Sequence, residues 1–276
     1  MIHIVVALPA EAKPLVDHFD LQRWQVHTAC PLYHGDNMAL VVTGVGKAAA
    51  AAGVTFLHNV FGPDREVAWL NAGVAGHSVH PLGSGFLAHT ITDDSNGQRY
   101  FPPHVLPFAT PRESLITVDT PPAEYPDAAL VDMEASGFYA TASSLTTSEL
   151  VQCFKVVSDN KESPANNVSA NRITALIGSH LKTIQEIVTT LDHFSTHLQT
   201  LRKAPQELEL FQRRWRFTVS EKHQLRKLLR RWQVLAPKRS AWSRDMDALH
   251  KAEDVLKLLR VSVEAQLIQF DTLRRD

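Results

Sequence analysis

The sequence predicts an α/β domain, a mostly parallel sheet covered by helices on both faces, followed by an all-α extension. Three observations carry this. Short apolar runs rich in β-branched residues alternate with helical patterns as far as residue 200, and strands alternating with helices build parallel sheets buried on both sides. Several runs end in glycine turns that lead into helices, as in MALVVTGVG (38–46) and EVAWLNAGVAG (66–76). Beyond Pro205 the apolar spacing is helical only, and the charge changes sign.

Taken in order, IHIVVAL (2–8) reads as the first strand, with a helix from about Glu11. MALVVTGVG is the next strand, and the alanine-rich KAAAAAGVTFLHNVF (47–61) is the helix behind it. EVAWLNAGVAG, GFLAHTITDD (85–94), SLITVD (114–119), AALV (128–131) and VQCFKVVSD (151–159) are further strands, and a small-residue helix follows VDMEA (131–135). From Asn171 to Leu201, positions such as Ile173, Ile177, Ile184, Leu191 and Leu198 keep helical spacing and predict one long amphipathic helix. Arg202, Lys203 and Pro205 mark the boundary between a domain over 1–202 and an extension over 203–276. In the extension, Ser220 reads as the N-cap of a helix carrying Leu225, Leu228, Leu229, Trp232 and Leu235 on one face. After Pro237 a last helix is expected from about Ser240 to Phe270, with Trp242, Met246, Leu249, Leu256, Leu259, Val263, Leu267 and Phe270 as its stripe.

The composition is that of a globular protein: 276 residues, 44% hydrophobic and 21% charged, enough for a sizeable core. A net charge of −1 conceals an asymmetry. Residues 1–199 carry 10 Lys and Arg against 19 Asp and Glu, and residues 200–276 carry 18 against 10. A basic tail on an acidic body points to an acidic partner, nucleic acid or protein, or to docking on the body itself. Cys30 and Cys153 make no disulfide framework, and Cys153 in VQCFKVV reads as a reduced, buried thiol. The first residues lack the basic n-region of a signal peptide, and no apolar run is long enough to span a bilayer. A cytoplasmic protein with no membrane partner is expected.

Open parallel sheets bind ligands beyond the carboxyl ends of their strands. Four such places stand out: Glu11 in ALPAEAK, TGVGK (43–47), NAGVAG (71–76), and VDMEA taken with VVSD (156–159). Each has a plain structural reading. Acids such as Glu11 and Glu134 suit the positive end of a helix, the glycines suit strand-to-helix corners, and Asp159 can be a loop acid. Gly44 and Gly46 lack the third glycine of a dinucleotide fingerprint. The 14 histidines, His77, His80, His89 and His104 among them, show no metal-ligand spacing. Neither a cofactor nor a metal is implied.

The order and spacing of ALPAEAK, TGVGKAAAAAG, NAGVAGH, VDMEASGFYATA and KVVSDN resemble the nucleoside phosphorylase and nucleosidase superfamily. Its methylthioadenosine/S-adenosylhomocysteine nucleosidase branch is the most similar, and the likeness covers about residues 1–200. The resemblance implies a mixed, mostly parallel central sheet, a small-molecule nucleoside substrate and a homodimer. It gives Glu134 the ribose hydroxyls, which a carboxylate can hold through two charge-assisted bonds, and packs Met133 on the sugar. Gly73, Val74, Ala75 and Gly76 fall at the substrate. Asp159, oriented by Ser158, matches the acid that meets the purine N7; protonating the departing base relieves its negative charge. Glu11 matches the group that activates water. Asp132 is then a strand-end or helix-start acid.

The pattern also departs from the family. ALPAEAK holds no arginine and Ala48–Ala49 no hydroxyl, which disfavours phosphate without excluding it and leaves Lys13 and Lys47 as candidate cations for a phosphorylase. Residues 77–126 are compressed, and Pro121–Pro122 stand where an aromatic residue would stack on the base, with Tyr100, Phe101 or Phe108 as substitutes. Val74 replaces a common hydroxyl residue. His77, next to the glycine turn, reads as a hydrogen-bonded or surface histidine. The expected activity is N-ribosyl hydrolysis of a purine nucleoside or thionucleoside. A phosphorylase, or a nucleoside-binding scaffold whose basic tail recruits nucleic acid or another partner, is the alternative.

Overall fold

The computed structural model describes residues 1–25, 30–62, 66–122, 125–126, 128–163, 168–202, 204–205 and 207–272, without the side chains of 201, 202 and 267–272. Leu201, Leu267 and Phe270 of the expected stripes therefore lie outside the described side chains. The chain divides into two compact units, Met1–Thr200 and Leu201–Asp276.

The first unit begins with β1 (Ile2–Val6), α1 (Pro9–His18), β2 (Gln22–Arg23), β3 (Leu32–His34), β4 (Met38–Val42) and α2 (Lys47–Phe61). It continues with β5 (Ala68–His77), β6 (Gly85–Asp93), β7 (Arg99–Tyr100), β8 (Arg112–Thr117), β9 (Leu130–Asp132), α3 (Ala135–Leu145) and β10 (Val151–Asp159). It ends with α4 (Ala170–Ser179) and α5 (Leu181–Arg202). Strands β4, β1, β5 and β10 lie side by side and parallel, so their carboxyl ends emerge together. From β10 the sheet runs antiparallel to β6, then parallel through β8 to β9, which returns antiparallel to β5. Five strands thus close into a ring inside a mixed sheet.

Alternation along the strands sends residues to both faces. Val5, Val41, Trp69 and Cys153 pack with Val54, Leu57 and Phe138 beneath α2 and α3. Ile4, Leu40, Leu70 and Phe154 pack with Leu15, Ile177, Ile187 and Leu191 beneath α1, α4 and α5. A bulge in β10 between Val157 and Asp159 sets Asp159 opposite Gly76 and turns the strand end toward the sheet's rim.

The long helix expected over 171–201 is two helices. His180 separates them: its N–H reaches the Ile177 carbonyl, and its ring Nε2 pairs with the Gly83 carbonyl at 2.7 Å. That tertiary contact holds the residue out of the helix, while the apolar stripe runs on across the break.

The second unit holds α6 (Leu208–Arg214), α7 (Val219–Leu235) and α8 (Ala252–Thr272) around a core of its own, including Phe211, Trp215, Leu225, Leu229, Trp232, Met246, Val255 and Leu259. Thr218, not Ser220, is the N-cap of α7. Its hydroxyl accepts from Glu221 N–H at 3.3 Å and Glu221 accepts in return from Thr218 N–H at 2.8 Å, a capping box the Ser220 reading overlooks. The last helix starts at Ala252 rather than near Ser240. Trp215 Nε1 donates to the Leu249 carbonyl at 2.9 Å and Trp242 Nε1 to Asp247 at 2.8 Å, holding Arg244–Ala248 in a tighter turn. Among the described residues no helix is long and apolar enough to cross a membrane.

Candidate active site

A cavity of about 250 Å³ opens where the carboxyl ends of β1, β5 and β10 meet. Glu11, Val74, Ala75, Gly76, Met133, Glu134, Ser158 and Asp159 all line it, together with Leu8, Val45, Val118, Pro121, Pro122, Tyr125 and Ile173. Residues from distant stretches of chain therefore converge on one hollow.

Glu11 stands in the first turn of α1, 3% exposed. One carboxylate oxygen accepts from Ala7 and Leu8 N–H and the other from Val74 N–H, each at 2.9 Å. Burial nevertheless pushes its pKa above the ordinary glutamate value, against the opposing pull of Lys155 and these amides. Gly73, beside it, makes room: a Cβ there would stand 2.7 Å from Glu11 Oε1 and 3.5 Å from Lys155 Nζ. Glu134 sits between β9 and α3, its Oε1 accepting from Gly46 N–H at 2.8 Å. Through that bond the TGVG turn positions the Glu134 carboxylate. Burial raises its pKa as well, opposed by Lys155 and reinforced by Asp132.

Asp132 accepts from Ala135 N–H at 2.9 Å and from the Thr117 hydroxyl at 2.8 Å, as a helix-start acid does. It also meets Lys155 Nζ at 2.8 Å, a contact invisible in the local sequence. Lys155 is 1% exposed. Burial works against its charge, but Asp132, Glu134 and Glu11 outweigh that and drive its pKa above the usual lysine range. The signal for it was present: a lone lysine in the apolar run VQCFKVV requires buried counter-charges.

Asp159 accepts from the Ser158 hydroxyl at 2.5 Å on Oδ1 and from the Tyr125 hydroxyl on Oδ2. Tyr125 supplies the cavity's aromatic residue, and the three proposed from sequence do not line it. Tyr100 packs on Tyr139 with ring centres 5.7 Å apart, Phe101 is exposed beneath Arg99, and Phe108 packs against the core. The cations named for phosphate are absent too. Lys47 is tied to Asp93 at 2.9 Å and Asp119 at 2.8 Å, and Lys13 is exposed on α1 away from the lining.

His77 is buried and hydrogen-bonded outside the lining. Sequence spacing gave no metal set, yet the fold brings ligand atoms of His77, His80 and Glu113 within 4.8 Å of one another. The tautomer argues against ligation. His77 Nδ1 accepts from Val79 and His80 N–H, each at 3.1 Å, so the neutral ring carries its proton on Nε2 and has no lone pair left to give.

No family model and no curated protein matches the chain; the likeness is to solved structures. The apo 5′-methylthioadenosine nucleosidase of Arabidopsis thaliana superposes with a TM-score of 0.56 at 18% identity, covering 69% of this chain and 95% of its own. The 5′-methylthioadenosine/S-adenosylhomocysteine nucleosidase of S. pneumoniae, bound to a transition-state inhibitor, gives 0.51 at 22% identity over 66% and 99%. The futalosine hydrolase of Helicobacter pylori gives 0.56 at 13% identity over 68% and 97%. The mixed sheet with helices on both faces is the nucleosidase fold, and the C-terminal helices are additional to it.

Proposed function

We propose that this chain is an N-ribosyl hydrolase that cleaves the glycosidic bond of a purine nucleoside or thionucleoside, such as methylthioadenosine or S-adenosylhomocysteine. The observation that carries the reading is the meeting of Glu11, Glu134 and Asp159 around one cavity at the sheet's carboxyl rim. Glu134 would hold the ribose hydroxyls, with Met133 against the sugar. Glu11 takes a proton from water as its oxygen attacks C1′, the bond from C1′ to the base nitrogen breaks, and Asp159 as the general acid delivers a proton to N7. Free base and free sugar leave. A buried glutamate of raised pKa suits the base role near neutral pH.

Charge favours water over phosphate as the nucleophile. No lysine or arginine lines the cavity among the described residues. Lys155, just behind it, is already outnumbered by Glu11, Asp132 and Glu134, so a phosphate anion would be repelled.

The test is a nucleoside panel with chromatographic detection of free base, with and without phosphate. Hydrolysis independent of phosphate is expected. Asp159→Asn should lower base release by about 10²–10⁴-fold with the melting temperature little changed. Wild-type turnover in that variant would refute the acid assignment, and phosphate-dependent formation of ribose 1-phosphate would make the protein a phosphorylase.

A further inference from the structure

We infer that Tyr125 is the resident occupant of the base-recognising carboxylate, and that a purine engages Asp159 only by displacing the Tyr125 hydroxyl. This rests on the nucleosidase reading above and adds to it a residue that sets affinity and selectivity.

The two oxygens of Asp159 are held differently. Oδ1 accepts from Ser158, its neighbour in the chain, within a strand end fixed by pairing to β5. Oδ2 accepts from Tyr125, a residue 34 positions away that also faces the cavity. An incoming base therefore finds one oxygen fixed in the scaffold and the other closed by a side chain. Gly76 makes the arrangement possible. A Cβ there would overlap the Tyr125 ring and stand 2.6 Å from Asp159 Oδ2. The ring thus lies against β5 in the space a side chain would fill.

The exchange has a chemical consequence. A hydroxyl bonded to a carboxylate is worth more than one between neutral groups, and that bond is lost when the base arrives. A base that brings an N–H group to Oδ2, as adenine does with its amino group, replaces it. A base unable to do so leaves a buried acid short of a partner and is rejected, which is how sites built on polar exchange discriminate. Tyr125 acts here as a positioning and selectivity residue and touches no reacting bond.

Adenine binding by calorimetry to wild type and Tyr125→Phe tests this, beside the tyrosine difference absorbance recorded on binding. The phenylalanine variant keeps the ring and loses the competing donor. It should bind adenine about tenfold more tightly, the scale of one hydrogen bond to a charged group. The wild type should show a tyrosine difference spectrum that the variant lacks. Equal or weaker binding by the variant overturns the inference and leaves the nucleosidase reading standing. If the variant does not fold, the wild type alone decides, because adenine binding without a tyrosine difference also overturns it. Failure of the folded wild type and variant alike to bind adenine overturns the inference, and the nucleoside panel decides the nucleosidase reading separately.

Discussion

Lys47 and Lys155 each sit among carboxylates, and the two clusters behave in opposite ways. Around Lys155 the side chains of the lysine and Asp132 are 1% and 0% exposed, and Glu11 and Glu134 stand nearby. Burial prevails there, and both glutamates are pushed above their ordinary pKa although each accepts backbone hydrogen bonds. Around Lys47, Asp119 is 63% exposed. Asp93 is buried, which opposes its charge, yet bonds from Ser95, Lys47 and Ser136 hold its pKa at about 2. Acids whose donors satisfy them beside solvent become structural. Acids that outnumber the buried lysine beside them, and face a hollow, are the ones the proposed mechanism uses to move a proton.

The sharpest way to break this contrast is to remove each cation. Lys155→Met leaves Asp132, Glu134 and Glu11 buried without a counter-charge and should cost about 3–5 kcal/mol of stability in urea unfolding. Lys47→Met should cost clearly less, because water still reaches Asp119. Equal losses would erase the distinction.

The next effect is in pH. Under the proposed mechanism Glu11 acts ionised, so turnover should fall with decreasing pH along a limb lying above the ordinary glutamate value of 4.5. A limb at or below that value would assign the base elsewhere. Stability should follow the opposite sign. Glu11 and Glu134 are raised in the folded state, so the contribution of their protonated forms is full below 4.5 and lost as pH rises through the folded values. Glu134→Gln should therefore flatten the decline of stability toward neutral pH, measured by thermal melting across a pH series.

Asp93→Asn should give the smallest change. Its folded value near 2 lies below the ordinary aspartate value of 3.8, so its contribution is present above 3.8 and lost as pH falls through 2. A loss of about 2 kcal/mol at neutral pH that disappears in acid is expected. An undiminished penalty at pH 2 would mean that the asparagine damages packing instead.

Much of this was legible along the chain. The alanine-rich helix keeps its expected bounds, Lys47–Phe61, and β10 spans Val151–Asp159 as its apolar run suggests. Strand ends could be read because glycine turns and acids follow β-branched runs there. What escaped was set by partners far away in sequence. His180 interrupts a continuous stripe because of the Gly83 carbonyl. Tyr125 enters the cavity because Gly76 vacates the space. Lys155 looks like an interruption of a strand until Asp132 comes beside it. The short strands β2, β3 and β7 carry too few residues for a period to show.

The closed ring of strands bears on how the protein is made. β5 and β6 are adjacent in sequence, but β10 lies between them, and it emerges only with residues 151–159. Until then a nascent chain carries β5 and β6 with the edges meant for β10 unpaired, the kind of surface that captures other chains. Asp159 arrives on that same final strand, so the hollow acquires its acid at the step that seals the sheet. Long-range pairing of this kind makes folding slow, and chains halted before Val151 should aggregate rather than persist as inactive monomers.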